Sequence, residues 1–223
     1  MLKKMTSQNK RDSVKINYDL IAQQYSNEFG DYIEDLEVYE KFEEYLADGA
    51  KIVDLGAGSG RTYAYFNKRG YEYIGLDFSK EMRDCAYRLH GEFPYIIDDM
   101  VNLKKYFPAN SIDAIFAVYS LFHLPKKDFK QLLEDIYDVL KINGVFLFSY
   151  QVGQGEEMVD EPYLNENGKK VLYMTYQTDE EVKEILSSFS YVKLYCKEKI
   201  ETFESAINSN GATTVFILVK KIK

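Results

Sequence analysis

Apolar positions along this chain change period repeatedly. Short apolar runs, Ile52 to Leu55, Tyr71 to Leu76, Tyr95 to Ile97, Ser111 to Tyr119 and Val145 to Tyr150, predict buried strands. Stripes at helical spacing lie between and around them. Residues 1–12 are polar and read as a frayed end, and Ile16, Leu20, Ile21 and Tyr25 then mark a first helix. A second runs from about Ile33 to Leu46, with Ile33, Leu36, Tyr39 and Leu46 near one face, and Asp48-Gly49-Ala50 ends it. Residues 61–69 form a third, stopped at Gly70, and Ser79 is placed to cap the next. Lys126 to Lys141 carries Phe129, Leu132, Leu133, Ile136 and Leu140 on one stripe and stops at Asn143-Gly144. Alternating strand and helix signals of this kind predict an α/β, doubly wound, mostly parallel sheet.

The second half departs from that rhythm. Residues 151–177 form an insertion that starts polar, acidic and glycine-containing; Tyr163 to Tyr176 then reads as a hairpin around Asn167-Gly168. An insertion after the fifth strand sits at the carboxyl edge of the sheet, where substrate walls and lids belong. Thr178-x-x-Glu181 is a capping box opening a helix with Val182, Ile185, Leu186 and Phe189. Ser190 to Cys196 and Thr213 to Val219 read as a closing antiparallel pair.

The chemistry concentrates in Val53-Asp-Leu-Gly-Ala-Gly-Ser-Gly-Arg-Thr62, where the first strand breaks into a glycine turn and restarts as a helix. Glycines there permit a tight turn and close backbone approach, and the new helix offers free amides to a ligand over the turn. Strand, glycine turn and helix in succession make a nucleotide-type cofactor site. The spacing is Gly56-x-Gly58-x-Gly60 behind Asp54, not the G-x-G-x-x-G of dinucleotide folds. Asp77 ends the second strand, where a carboxylate can accept hydrogen bonds from both hydroxyls of a ribose.

This series resembles the class I S-adenosylmethionine-dependent methyltransferases. The resemblance covers roughly residues 16–220 and is specific in 51–123, through Asp54/Gly56/Gly58/Gly60, Gly75-Leu-Asp-Phe-Ser-Lys-Glu-Met82 and Asp98-Asp99-Met100. It implies a Rossmann-like, seven-stranded sheet with a C-terminal antiparallel pair, in one domain over 1–223. A helical lid at about 13–48 would cover S-adenosyl-L-methionine. The implied cofactor-binding residues are Tyr25, Asp54, Gly56, Ala57, Gly58, Gly60, Asp77, Phe78, Met82, Asp98, Asp99, Met100 and Ala117. Asp99 fits the adenine-binding acid better than Asp98, and Met82 either packs on the adenosine or belongs to the core. Tyr18, Tyr119 and His123 are the substrate-side candidates; Tyr18 and Tyr25 either touch ligand or pack as part of a helix.

The implied reaction is an SN2 displacement at the cofactor's methyl carbon. The electrophile is already activated, so alignment supplies most of the catalysis, and well-oriented reactants recover about 7–11 kcal/mol of barrier. An oxygen or nitrogen acceptor can still need to lose a proton. His123, in the loop after the fourth strand, either takes it, with an unperturbed pKa of ~6.5, or only holds the loop. His90, at a helix end, is expected to be structural.

Composition narrows the partners. Among 223 residues 46% are apolar, enough for a sizeable core, and the net charge of −8 disfavours a grip on phosphate backbones. No Asn-Pro-Pro-Tyr or Asp-Pro-Pro-Tyr follows the fourth strand, no Pro-Cys nucleophile exists, and no cluster has metal-ligand spacing. The two cysteines, Cys85 and Cys196, are far apart. No secretory signal is evident, and the longest apolar run, Ala114 to Phe122, is interrupted by Ser120 and too short to span a bilayer. A cytoplasmic methyltransferase for a small-molecule O or N acceptor is the expectation, without nucleic acid, membrane or metal. Oligomeric state is left open. The alternatives are a non-catalytic S-adenosylmethionine-binding relative and an NAD-dependent oxidoreductase.

Overall fold

Strands apolar on both faces need a cover on both sides, and the computed structural model supplies one. It describes residues 5–30, 32–33, 35–160, 170–200 and 212–223. The strands are β1 (Lys51–Leu55), β2 (Glu72–Asp77), β3 (Tyr95–Ile97), β4 (Ile112–Ala117), β5 (Leu140–Gln151), β6 (Glu156–Asp160), β7 (Lys170–Thr175), β8 (Tyr191–Ile200) and β9 (Thr213–Lys221). The helices are α1 (Ser7–Phe29), α2 (Leu36–Glu43), α3 (Arg61–Asn67), α4 (Lys80–His90), α5 (Lys126–Val139) and α6 (Asp179–Ser187). Seven strands form one sheet in the order β3-β2-β1-β4-β5-β9-β8, and β6 and β7 form a separate pair. Neighbours from β3 to β5 run parallel, while β9 is antiparallel to both β5 and β8. The strand order reverses between β1 and β4, so their carboxyl ends open a crevice of the kind that takes ligands in such sheets.

Side-chain alternation divides the core. Val53, Leu55, Ile115, Phe146 and Phe148 face Phe129, Leu132, Leu133 and Ile136 of α5 on one side. Ile52, Ala114, Phe116, Phe216 and Leu218 face Val38, Tyr39 and Phe42 of α2 and Phe66 of α3 on the other.

Four elements differ from the sequence reading. The helix expected to start near Ile16 begins at Ser7, because Thr6 accepts from the Asn9 amide at 3.1 Å and Arg11 finds tertiary partners. Residues 6–12 are therefore not frayed. In α1 the buried apolar residues are Val14, Ile21 and Ala22, whereas Ile16 and Leu20 are 58% and 69% exposed. The second helix is shorter than expected and buries Val38, Tyr39 and Phe42, with Leu36 turned outward. The helix expected to reach Lys141 stops at Val139, since Leu140 pairs with Ile112 of β4.

The insertion holds a hairpin in which β7 pairs with residues 156–160, upstream of the start at Tyr163 that the turn signal suggested. Val159 lies opposite Leu172, and both enter a small core with Val14, Phe122, Tyr173 and Met174 that ties hairpin to α1 and to the β4–α5 loop. Val159 is the apolar contact hidden in an otherwise acidic stretch. The Asn167-Gly168 turn lies outside the described residues. The Thr178–Glu181 capping box has both of its hydrogen bonds. Among the described residues no helix is long and apolar enough to cross a membrane.

Candidate active site

The site grows from the end of β1. Gly56, at φ +83°, turns the chain, and its amide and that of Ala57 donate to the Leu76 carbonyl of β2 at 2.8 and 3.2 Å. The turn is thereby tied to the strand carrying Asp77. A Cβ on Gly56 would come within 2.4 Å of the Ser120 Cβ, so the glycine turn and the β4–α5 loop touch through a gap only glycine leaves. Asp77 completes the turn. Its Oδ2 accepts from the Gly58 amide at 3.0 Å and its Oδ1 from the Ser79 amide at 2.8 Å. Burial pushes this carboxyl up to about 6, against the pull of the two amides.

One cavity collects Tyr18 and Tyr25 of α1, Gly56, Gly58, Asp77, Phe78, Met82, Asp99, Met100, Tyr119 and His123 from the expected set. Arg11, Ser120 and Leu124 join them. Asp54, Ala57, Gly60, Asp98 and Ala117 lie outside its lining. Asp54 sits beneath the turn, buried, and accepts from the Tyr73 hydroxyl at 2.6 Å; burial raises its carboxyl to about 7. It supports the turn from below. Gly60 faces His90, Ala86 and Phe93, and Ala117, the last residue of β4, lies in the core. Asp98 accepts from Asn102 and Lys105, each at 2.8 Å, and from Tyr106. Burial works against its charge, but these donors hold its carboxyl well below the usual range. Of the two adjacent acids only Asp99 reaches the cavity.

Arg11 carried no local signal, being one cation in a polar stretch. In the fold its Nε donates to Asp99 Oδ2 at 2.6 Å, and its guanidinium also bonds Asp128 and Gln8. It joins α1, the cavity floor and α5. Ser120 did leave a trace, as the polar break in the Ala114–Phe122 run. It is 6% exposed, and its Oγ has no hydrogen-bond partner among the described residues. A buried hydroxyl without a partner in a cavity wall is a ready contact for a ligand.

His123 is paired on both sides. Its Nδ1 lies 2.9 Å from the Tyr173 carbonyl and its Nε2 2.9 Å from the Tyr18 hydroxyl. A carbonyl only accepts, so Nδ1 carries the hydrogen, Nε2 is the acceptor, and Tyr18 donates to it. Burial lowers the imidazole to about 4, the Tyr173 carbonyl opposing, so the ring is neutral at pH 7. The folded protein therefore refuses a proton that the unfolded chain accepts below ~6.5, and stability falls as pH drops from ~6.5 towards 4. Imidazole NMR should show one neutral, Nδ1-protonated ring down to pH 5. A titration at or above pH 6 would contradict this geometry.

The sheet order, the glycine turn held by Asp77 and the cavity at the strand reversal bear out the expected Rossmann-like, seven-stranded α/β fold. More narrowly, residues 53–148 match the family described as Methyltransferase domain. A sterol 24-C-methyltransferase of Gibberella zeae is 30% identical over 142 residues, 57% of this chain and 34% of that protein. The chain thus spans about a third of that relative's length. Among solved structures, a 1,6-didemethyltoxoflavin-N1-methyltransferase of Burkholderia thailandensis, with 1,6-didemethyltoxoflavin and S-adenosylhomocysteine bound, superposes with TM-score 0.70 at 15% identity. It covers 98% of this chain and 92% of that one. The cyclase SpnF superposes with TM-score 0.72 at 16% identity, over 97% and 96% of the two chains. At these identities the likeness is one of fold.

Proposed function

We propose that this protein binds S-adenosyl-L-methionine and methylates a small molecule at oxygen or nitrogen. The observation that carries the reading is the convergence of Gly56, Gly58, Asp77 and Asp99 with the Tyr18–His123 pair on one cavity. The residues suit the cofactor: a close-approach glycine turn, a buried carboxylate beside it for a ribose, an acid for an adenine amino group, and an unpartnered Ser120 hydroxyl. When bound, the cofactor supplies a methyl group already activated on a sulfonium. The protein's own task is then to bind, align and exclude water. α1 and the β6–β7 hairpin close over the site as lid and substrate wall, joined through Val14 and Tyr173. Since Tyr18 occupies Nε2 and burial lowers the imidazole to about 4, His123 serves by orienting the Tyr18 phenol in the cavity wall rather than as a base that keeps the acceptor's proton. The similar sterol C-methyltransferase and the Burkholderia N-methyltransferase of like fold differ in acceptor atom, so neither likeness supplies it for this chain.

Calorimetric titration tests this. S-adenosylmethionine and S-adenosylhomocysteine should bind at micromolar concentration at pH 7.5, and NAD should not. Both should weaken as pH falls below about 6, where Asp77 takes up its proton and loses the charge that holds a ribose. Binding of NAD alone would favour an oxidoreductase. Tight adenosyl binding with no turnover on any acceptor would favour a non-catalytic relative.

A further inference from the structure

Asp99 and Asp128 stand on different elements, one just after β3 and the other in the first turn of α5. Both are largely withdrawn from water, with 15% of each side chain exposed. Both bond the same guanidinium, so little more than that group separates them. Two carboxylates so placed repel unless a cation stands between them. Arg11 of α1 is that cation. Its Nε donates to Asp99 Oδ2 at 2.6 Å, its Nη1 to Asp128 Oδ2 and its Nη2 to Gln8 Oε1 at 2.7 Å. All three nitrogens are engaged at once, a use of the rigid fork that lysine does not offer. The neighbouring cations are committed elsewhere: Lys10 to Glu156 at 2.5 Å, and Lys105 to Asp98 at 2.8 Å.

Asp99 is fixed at both oxygens. Oδ1 accepts from the Val101 amide at 3.2 Å and so caps the 3-10 helix Met100–Lys105, while Oδ2 takes Arg11. The first bond is local, and alone it leaves the carboxylate free to pivot. The second comes from a segment 88 positions away and stops the pivot. An ionised carboxylate offers about four lone-pair sites, so Asp99 keeps acceptor capacity for a donor on a ligand. Arg11 and Asp99 both line the cavity, and Asp128, outside its lining, holds the guanidinium from behind.

We infer that Arg11 is a positioning residue: by bridging Asp99 to Asp128 it aims the Asp99 carboxylate into the cavity, where it selects a ligand ring that bears an amino group. The selection rests on the function proposed above; the aiming does not. Without the guanidinium the two carboxylates face each other uncompensated. Asp99 then turns away from Asp128 and loosens its hold on Val101. Removing the charge of Asp128 as well takes away the repulsion, so a second substitution restores part of what the first destroys. A residue that merely packed α1 against the protein would give no such recovery.

The test compares wild type with Arg11→Met, which keeps the stem, with Arg11→Lys, with Asp128→Asn and with the double variant Arg11→Met/Asp128→Asn, which completes a double-mutant cycle. Thermal melting of each checks that the fold is kept. The first readout needs no ligand. Amide hydrogen exchange by NMR follows Val101 N–H, bonded to the Asp99 side chain, against Asn102 N–H, bonded to the Asp99 main-chain carbonyl at 2.9 Å. Arg11→Met should speed exchange at Val101 about tenfold relative to Asn102, as for the loss of one hydrogen bond, and the double variant should reverse part of that. The second readout is calorimetry with S-adenosylhomocysteine and S-inosylhomocysteine, which carries an oxygen in place of the ring amino group. Wild type should prefer the adenosyl ligand about tenfold or more, and Arg11→Met should bring the preference below about threefold. Arg11→Lys and the double variant should each recover part of it. The inference is overturned if exchange at Val101 is unchanged in Arg11→Met, if both ligands weaken equally there, if the double variant recovers nothing, or if wild type binds the two ligands alike. Failure of wild type to bind either ligand would instead remove the cofactor reading, leaving exchange at Val101 to decide on Arg11.

Discussion

Asp77→Ala should lower affinity for S-adenosylhomocysteine by two to four orders of magnitude. A carboxylate bonding two ribose hydroxyls contributes about 1.5–3 kcal/mol through each, and the sum converts to that range. The side chain has a second duty that the substitution also removes. Its oxygens hold the Gly58 and Ser79 amides, so its loss loosens the turn that approaches the ligand. Asp77→Asn separates the two effects. The amide keeps the shape and one oxygen acceptor but no charge, and it places N–H donors against a backbone amide. Its binding loss should remain at least tenfold, with a smaller fall in melting temperature than in Asp77→Ala. α4 retains its own cap, Ser79 Oγ on the Met82 amide at 3.1 Å, so neither variant should unfold. Calorimetry beside thermal denaturation decides: affinity within threefold of wild type in a folded Asp77→Ala protein would dismiss Asp77 from the ligand site.

The second large effect is on stability. Gly56→Ala places a Cβ at φ +83° and 2.4 Å from the Ser120 Cβ. Left-handed backbone costs a non-glycine residue about 1–2 kcal/mol, and overpacking of a tight contact adds roughly 1–3. The two together correspond to a fall in melting temperature of roughly 5–15 °C for a chain of this size. Gly70→Ala is the matched control. It sits at φ +80° with nothing within 4 Å of the added atom, so it bears the backbone cost alone. Equal melting temperatures for the two variants would show that the contact with Ser120 is slack. Relief of the Gly56→Ala defect by Ser120→Gly would show the reverse, since the clash is between these two side chains.

Local signals carried much of this protein. The period of two in the strands and of 3.6 between them is imposed by burial on one or both faces of each element, and it is visible wherever the element stays in register with its neighbours. β1, β3, the Ser79 cap and the Thr178 capping box were legible for that reason. So was the turn at Gly56 and Gly58, because left-handed backbone restricts residue type. The errors share a different cause. Ile16 and Leu20 looked like a buried stripe because spacing alone does not say which side of a helix meets the protein. The partner strand of β7 was misplaced because pairing is settled by the core that Val159 and Leu172 share with Val14 and Phe122.

The sequence by itself determined the fold class, the order of its elements and the glycine turn after β1, since these depend on periodicity and on backbone conformations that few residues tolerate. Only the tertiary structure decided what the titratable groups face. It set Asp98 against Lys105 and Tyr106 while leaving Asp99 at the cavity, and it brought Arg11 to Asp99 across 88 positions of chain. It also put Tyr18 on the one nitrogen of His123 that can accept a proton. Charge, hydrogen-bond role and pKa are properties of surroundings assembled from distant segments, and no stretch of sequence contains them.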